Sequence, residues 1–439
     1  MRYLALQTIL VLIGNLAIGQ IKTDFSKLYI EDLYKSSSHV KSISPIETNF
    51  DDLNPIGKSI GDAKIVLLGE PSHGDGGAIQ MKTRLIKYLH ERKGFDVLLF
   101  EADLYSILFG LSEMKDTTKV NARIKEDIYT CWSESKVSQD LWTYYKKQLV
   151  GKNPISIGGI DCRHAGNYAK KTLVETLTSV LKTIDFEITS NNYKLFTKDL
   201  NYILRKEFSS YKDSVNVKNF NRELMNIEEA IKFSALDQRS RILWLIEMNN
   251  IKGCFDLIMY DQSRDVIMAK NFIYLLKYVY PNKKIVVWSH NNHNVLDVKT
   301  HTSFSSNSPE KWDENNTLQY STYLGTELYK EFKNQVHSLA ITSGSGNFSP
   351  RFFGNDMFHA DFSRTAKVPK SSEQSLENYL ENKKSGLLFL PLPTAQGKPS
   401  GYPWFAARLL DLNFEGKMDY TSSFNGVIYI DKTVDLNGQ

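Results

Sequence analysis

Apolar runs of strand length recur along this chain, and several stop at a charged or imidazole side chain. "AKIVLLGE" ends at Glu70, "FDVLLFEAD" at Glu101 and Asp103, "PISIGGIDCRH" around Asp161 and Arg163, and "KKIVVWSHNNHN" at His290 and His293. Between them lie stretches of helical spacing: about 78–92, where Ile79, Leu85, Ile86 and Leu89 form an apolar stripe, and about 266–278. "HSLAITSGSG" and "GLLFLPLP" complete the strand-like set. Strands alternating with helices predict an α/β chain with a mostly parallel central sheet flanked by helices. Such sheets bind ligands outside the carboxyl ends of their strands. The spacing therefore predicts one pocket that gathers Glu70, His73, Glu101, Asp161, Arg163, His290 and His293.

With 439 residues the chain is long enough for one large domain with an insertion, or for two of ordinary size. Between about 167 and 250 the strand pattern gives way to long, charged, helically periodic segments such as "FNRELMNIEEAIKFSALDQRSRILWLIEM". This stretch reads as a helical insertion or cap beside the sheet. Segment 301–320 is rich in Ser, Asn and Thr without periodicity, and reads as a loop or flap. The first nineteen residues, "MRYLALQTILVLIGNLAIG", have one Arg, an apolar core from Leu4 to Ile13 and small residues at Ala17 and Gly19. That is the layout of a secretory signal peptide, with residues 20–439 as the mature, exported protein in the periplasm or outside the cell. No interior run approaches the roughly 20 apolar residues that span a bilayer, so no stable membrane span is expected once the signal is cut. A retained N-terminal anchor is the alternative.

The net charge of +4 comes from intermixed Lys, Arg, Asp and Glu, not from a block of one sign, which argues against a nucleic-acid partner. Cys131, Cys162 and Cys254 are too few and too scattered for a disulfide framework or zinc ribbon. An export compartment permits one pair, which spacing does not choose.

"GKSIG", residues 57–61, matches the letters of a nucleophile elbow, yet that turn needs a strand before its serine and a helix after it. Here "DDLNP" reads as a loop before Ser59, and a strand follows. The same "GKS" lacks the upstream glycine of a phosphate loop, Asp52 standing there. What remains is a set of carboxylates and imidazoles with no convincing serine or cysteine nucleophile. Such a set suits activation of water: a histidine takes the proton and a neighbouring carboxylate orients the ring. A second histidine or a cation then stabilises an oxyanion or protonates the leaving group. The same groups also suit a metal-dependent hydrolase, since "HNNH" with Glu70 and His73 offers imidazole and carboxylate ligands. An exported ligand-binding protein is a further alternative, and "EPSH" alone fits a capped turn.

At these residues the chain resembles the erythromycin esterase family. "LLGEPSHGDGGAIQMKTRLIKYLHERKGFDVLLFEAD", "GGIDCR", "RDVIMAKNFIYLL" and "VVWSHNNHN" are similar, in order and spacing, to the family's motifs. The resemblance implies a carboxylic ester hydrolase that opens the lactone of a 14-membered macrolide antibiotic such as erythromycin, without acyl-enzyme or cofactor. It implies His73 as general base, with Glu101, Glu70 and His290 in the catalytic set. His293, Lys82, Asp161, Arg163 and Arg264 are implied in substrate binding. Lys82 stands where the family often has Arg; it keeps the charge and loses the bidentate fork. The "GDGGA" after His73 is also richer in glycine than usual. A macrolide pocket should be wide and apolar, and the aromatic residues of the helical cap are expected to line it.

Overall fold

A computed structural model of the protein describes residues 25–112, 114–205, 215–297, 303–304, 322–350, 364–393 and 404–439. The leader pattern of residues 1–19 lies outside these, as does most of the serine-rich segment 301–320.

Among the described residues twelve strands follow in chain order: β1 (Ser38–His39), β2 (Ile65–Leu68), β3 (Phe95–Asp103), β4 (Ser156–Asp161), β5 (Lys284–Trp288), β6 (Ser303–Phe304), β7 (Val336–Phe348), β8 (Ala366–Lys367), β9 (Leu388–Pro391), β10 (Trp404–Asp411), β11 (Phe414–Asp419) and β12 (Gly426–Thr433). The nine-stranded main sheet has the order β1-β9-β12-β7-β2-β5-β3-β4, with β8 added beside β7. From β12 to β4 every neighbour is parallel. Strands β9, β1 and β8 join antiparallel. A separate antiparallel sheet, β10-β11-β6, packs beside it.

The central strands read as unbroken apolar runs because both faces are covered. Val66, Leu68, Leu98, Phe100, Val286 and Trp288 point to one side, where helix α1 (Gly76–Lys93) buries the predicted stripe of Ile79, Leu85, Ile86 and Leu89. Ile65, Leu67, Val97, Leu99, Ile285 and Val287 point to the other, against Met268 and Phe272 of the helix Arg264–Tyr274. Helix α1 is slightly longer than its periodicity suggests. Asp75 caps its start by accepting from the Ala78 amide, and Gly94, at φ 72°, ends it in the left-handed region.

Four helices occupy the expected insertion: α2 (Asn167–Thr183), α3 (Asn191–Leu204), α4 (Val217–Lys232) and α5 (Gln238–Tyr260). They close on a core of their own that includes Leu173, Leu177, Phe196, Leu200, Leu224 and Phe255. The last helix runs past residue 250, since Cys254 and Phe255 keep its apolar side buried. Helix α6 (Arg264–Tyr274) then leads to β5.

Two readings of the sequence need correction. The loop read at "DDLNP" is a 3₁₀ turn, Asp51–Leu53, that runs into a helix, Asn54–Ile60, so Ser59 sits on no strand-to-helix elbow. Three of the cap's aromatics pack on one another, Phe220 lying 4.9 Å from Phe196 and 4.5 Å from Phe255. The sheet also holds β12, which the sequence reading left out. All three cysteines are buried and none is in a disulfide among the described residues. Among the described residues no helix is long and apolar enough to cross a membrane.

Candidate active site

The register of the parallel strands fixes the site. Leu68 and Phe100 both pair with Trp288, so the residues that follow, Gly69, Glu101 and Ser289, stand at one level, with Glu70 and His290 a step beyond. Gly69 allows this because Asn291 crowds it: a Cβ there would stand 1.9 Å from Asn291 Oδ1. One strand over, the pairing slips between Phe100 and Asp103, where β3 carries an extra residue against β4. Such a bulge re-aims a side chain, and the side chain here is Glu101. The bulge closes over Gly159, whose missing Cβ would lie 2.4 and 2.5 Å from the carbonyl oxygens of Asp103 and Ala102.

Glu70 is fully buried and divides its oxygens between two partners. His73 Nδ1 lies 3.0 Å from Oε1, while Lys82 Nζ pairs with Oε2. A carboxylate oxygen accepts, so His73 carries its proton at Nδ1 and presents a lone pair at Nε2. Lys82 is also sealed from solvent. It donates to the Ser289 carbonyl at 3.2 Å and lies 4.1 Å from the Trp288 ring centre. Burial lowers the Lys82 ammonium to about 8, against the opposing pull of Glu70. The sequence placed this lysine among substrate contacts; the structure places it on Glu70.

The His73 ring is held edge-on between two others, Trp132 at 5.1 Å and His290 at 5.2 Å between centres. Burial, and then the neighbouring His73, hold the His290 imidazole well below the ordinary histidine range. His290 Nδ1 accepts from the Asn292 amide at 3.2 Å, so the neutral ring carries its proton on Nε2.

Glu101 joins these histidines to the cations behind them. Its Oε1 accepts from Arg264 Nη2 at 2.9 Å and lies 3.1 Å from His293 Nε2. Its Oε2 accepts the backbone N–H of His290 at 3.0 Å. Burial favours a neutral Glu101, yet His293 and Arg264 outweigh it and hold the carboxyl well below its usual range. Arg264 also grips Asp161 through Nε at 3.1 Å and Nη2 at 2.5 Å. Arg163 reaches the same carboxylate at 3.2 Å. The two guanidinium groups overcome burial and lower Asp161 strongly. His293 has a second carboxylate, Asp265, 2.7 Å from Nδ1. Burial resists its charge, but Glu101 and Asp265 raise the imidazole to about 10.

All nine sequence-selected residues thus fall in one connected cluster: Lys82, Glu70, His73, His290, Glu101, Arg264, His293, Asp161 and Arg163. Its four carboxylates, counting Asp265, face four cations, Lys82, Arg163, Arg264 and His293. Within this cluster of described residues the formal charges balance. Both ring nitrogens of His293 face carboxylates. Among the described residues no three His, Cys, Asp or Glu side chains group so as to hold an ion. The sequence reading missed Asp265, which directly follows Arg264 within the same helical motif. It also missed Trp132, which no periodic signal marks.

A family model described as erythromycin esterase matches residues 90–433. The matched range opens after His73, so the placement of Glu70, His73 and Lys82 rests on geometry. YbfO of Bacillus subtilis (strain 168), a protein named provisionally as a hydrolase, is 26% identical over 338 residues, or 70% of this chain and 71% of YbfO. Three solved structures share the fold. A succinoglycan biosynthesis protein aligns with TM-score 0.68 at 17% identity, over 93% of this chain and 98% of its own. A Bacillus cereus protein aligns at 0.70 and 17%, over 94% and 99%. A mutant of the erythromycin esterase EreC in its open conformation aligns at 0.61 and 15%, over 89% and 96%. At such identities these likenesses speak to fold alone. The match across most of the chain speaks to kinship and points to a hydrolase: the chain belongs to the erythromycin esterase family.

Proposed function

We propose that the protein is an exported esterase that opens the lactone of a 14-membered macrolide such as erythromycin, using a water molecule activated by His73 and no metal. The observation that carries this reading is the Glu70–His73 pair, 3.0 Å apart, which fixes the proton on Nδ1 and leaves Nε2 as a base. His73 Nε2 removes a proton from water while the oxygen bonds to the acyl carbon. Glu70 stabilises the imidazolium that forms. The oxyanion is met by the neutral His290 beside it, whose Nε2–H is shared with the Pro71 carbonyl. When the intermediate collapses, the carbon–oxygen bond to the ring alkoxide breaks and His73 returns its proton there, giving a hydroxy acid. Glu101, held ionised by His293 and Arg264, fixes His290 through its backbone N–H. The internal neutrality of the site suits an ester, which is uncharged at the reacting carbon. The leader pattern of the first nineteen residues supports action in the periplasm or outside the cell.

The test is mass spectrometry of erythromycin incubated with the purified protein, alone and after chelation, with His73→Ala in parallel. A gain of one water that needs His73 and survives chelation is the expected result. A folded enzyme that leaves erythromycin unchanged contradicts the macrolide assignment, and hydrolysis that stops on chelation contradicts the metal-free route.

A further inference from the structure

His293 Nε2 stands between two groups that make opposite demands on it. Glu101 Oε1, from β3, lies 3.1 Å away and can only accept; Arg264 Nη1, from α6, lies 3.3 Å away and can only donate. A neutral ring with its proton on Nδ1 would satisfy Arg264, and a doubly protonated ring would satisfy Glu101. Geometry at Nε2 alone does not choose between them.

The choice is made at the other nitrogen. Asp265, in the first turn of α6, lies 2.7 Å from Nδ1 and with the same oxygen accepts the Leu324 backbone N–H at 2.9 Å. Its charge tips the count of groups facing the ring. Two carboxylates, Glu101 and Asp265, stand against one guanidinium, whose charge is already drawn off by Asp161 on β4. The nearby His290, on the same turn, is neutral. Without the Asp265 charge, one carboxylate and one guanidinium would be left in near balance.

We infer that Asp265 is a positioning residue: it keeps His293 doubly protonated, so that His293 clamps Glu101 and, through it, the His290 turn. The raised imidazole of His293 agrees with this. The effect on turnover rests on the hydrolytic reading above; the effect on His293 does not.

Asp265→Asn is the informative variant, because the amide oxygen still accepts from Nδ1 and Leu324 while the charge is gone. Nitrogen NMR of the full chain labelled at histidine reads the ring directly, the His293 signals being those lost in His293→Gln. In the unaltered protein His293 is expected to stay doubly protonated across about pH 6 to 8, where an ordinary histidine titrates. In Asp265→Asn its midpoint should fall by about one pH unit or more. Turnover should drop by about 10²-fold, the scale of a misplaced catalytic group, with KM held. A neutral His293 near pH 7 in the unaltered protein overturns the inference even if the variant fails to fold. An unchanged midpoint in a folded variant, or a lowered midpoint with turnover intact, overturns it as well. Failure to hydrolyse erythromycin counts against the proposed function and leaves the NMR result to stand by itself.

Discussion

His73 Nδ1 and Glu70 Oε1 stand 3.0 Å apart, and the partner that completes Glu70 is a lysine with no exposed surface. The base of the proposed reaction is thus oriented by a carboxylate that is itself tied down from behind. His73→Ala should lower turnover by about 10²–10⁴-fold, the range for a lost general base. The thermal midpoint should barely move, since the ring keeps some contact with solvent. Glu101→Gln should be nearly as damaging, and rates at the unaltered level in either variant would remove that residue from the catalytic set.

Breaking the Lys82–Glu70 pair should cost stability out of proportion to its size. Removing one member of a buried ion pair strands the other, at about 3–5 kcal/mol. Lys82→Met and Glu70→Gln should each destabilise on this scale in denaturant titrations. The double variant should recover a large part of the loss, because nothing is then left charged and unpaired. Additive losses would mean that the two groups are not coupled.

Gly159 offers a test of how β3 aims Glu101. A methyl at this position meets the carbonyls of Ala102 and Asp103 at 2.4–2.5 Å, and backbone cannot move aside as a flexible side chain can. Gly159→Ala should cost about 1–3 kcal/mol by overpacking and lower turnover further than that loss explains, by shifting Glu101. A variant with full activity would show that the bulge does not position the carboxylate.

Acid should unfold the protein partly through His337. Burial holds its imidazole down at about 4, below the unfolded value of about 6.5. Between these values the unfolded chain binds the extra proton, so stability falls as pH falls through this window. At pH 5 this one site costs about 2 kcal/mol. His293 runs the other way: raised to about 10, it contributes stability that is present below pH 6.5 and lost as pH climbs through 10. Denaturant midpoints measured from about pH 7 to 5 should fall less steeply in His337→Phe, and equal slopes would refute the assignment.

The sheet and its loaded edge were legible because each central strand is apolar throughout and stops at a polar residue, as in "KIVVWSH". Parallel strands buried on both faces leave that mark in a sequence. Strand β12 left a weaker one. "GVIYIDKT" has no charged end in the pocket to draw attention, although it pairs with β7 along its length. The cap was legible as helix, but aromatic residues at helical spacing do not reveal whether they face a ligand or one another. Phe196, Phe220 and Phe255 face one another. The burial of Lys82 was hidden for a related reason: its partner Glu70 is close in sequence, but the seal over it comes from Trp288 and Ser289 on β5 and the turn beyond.

A single turnover of a macrolide lactone in ¹⁸O-water, with enzyme in excess, tests the activation of water by His73 most directly. Direct attack by that water puts one ¹⁸O in the new carboxylate on the first turnover, with no labelled or acylated protein, and His73→Ala gives no product. Unlabelled product on the first turnover, or an acyl group found on the chain, would contradict the mechanism and assign the attack to a side chain.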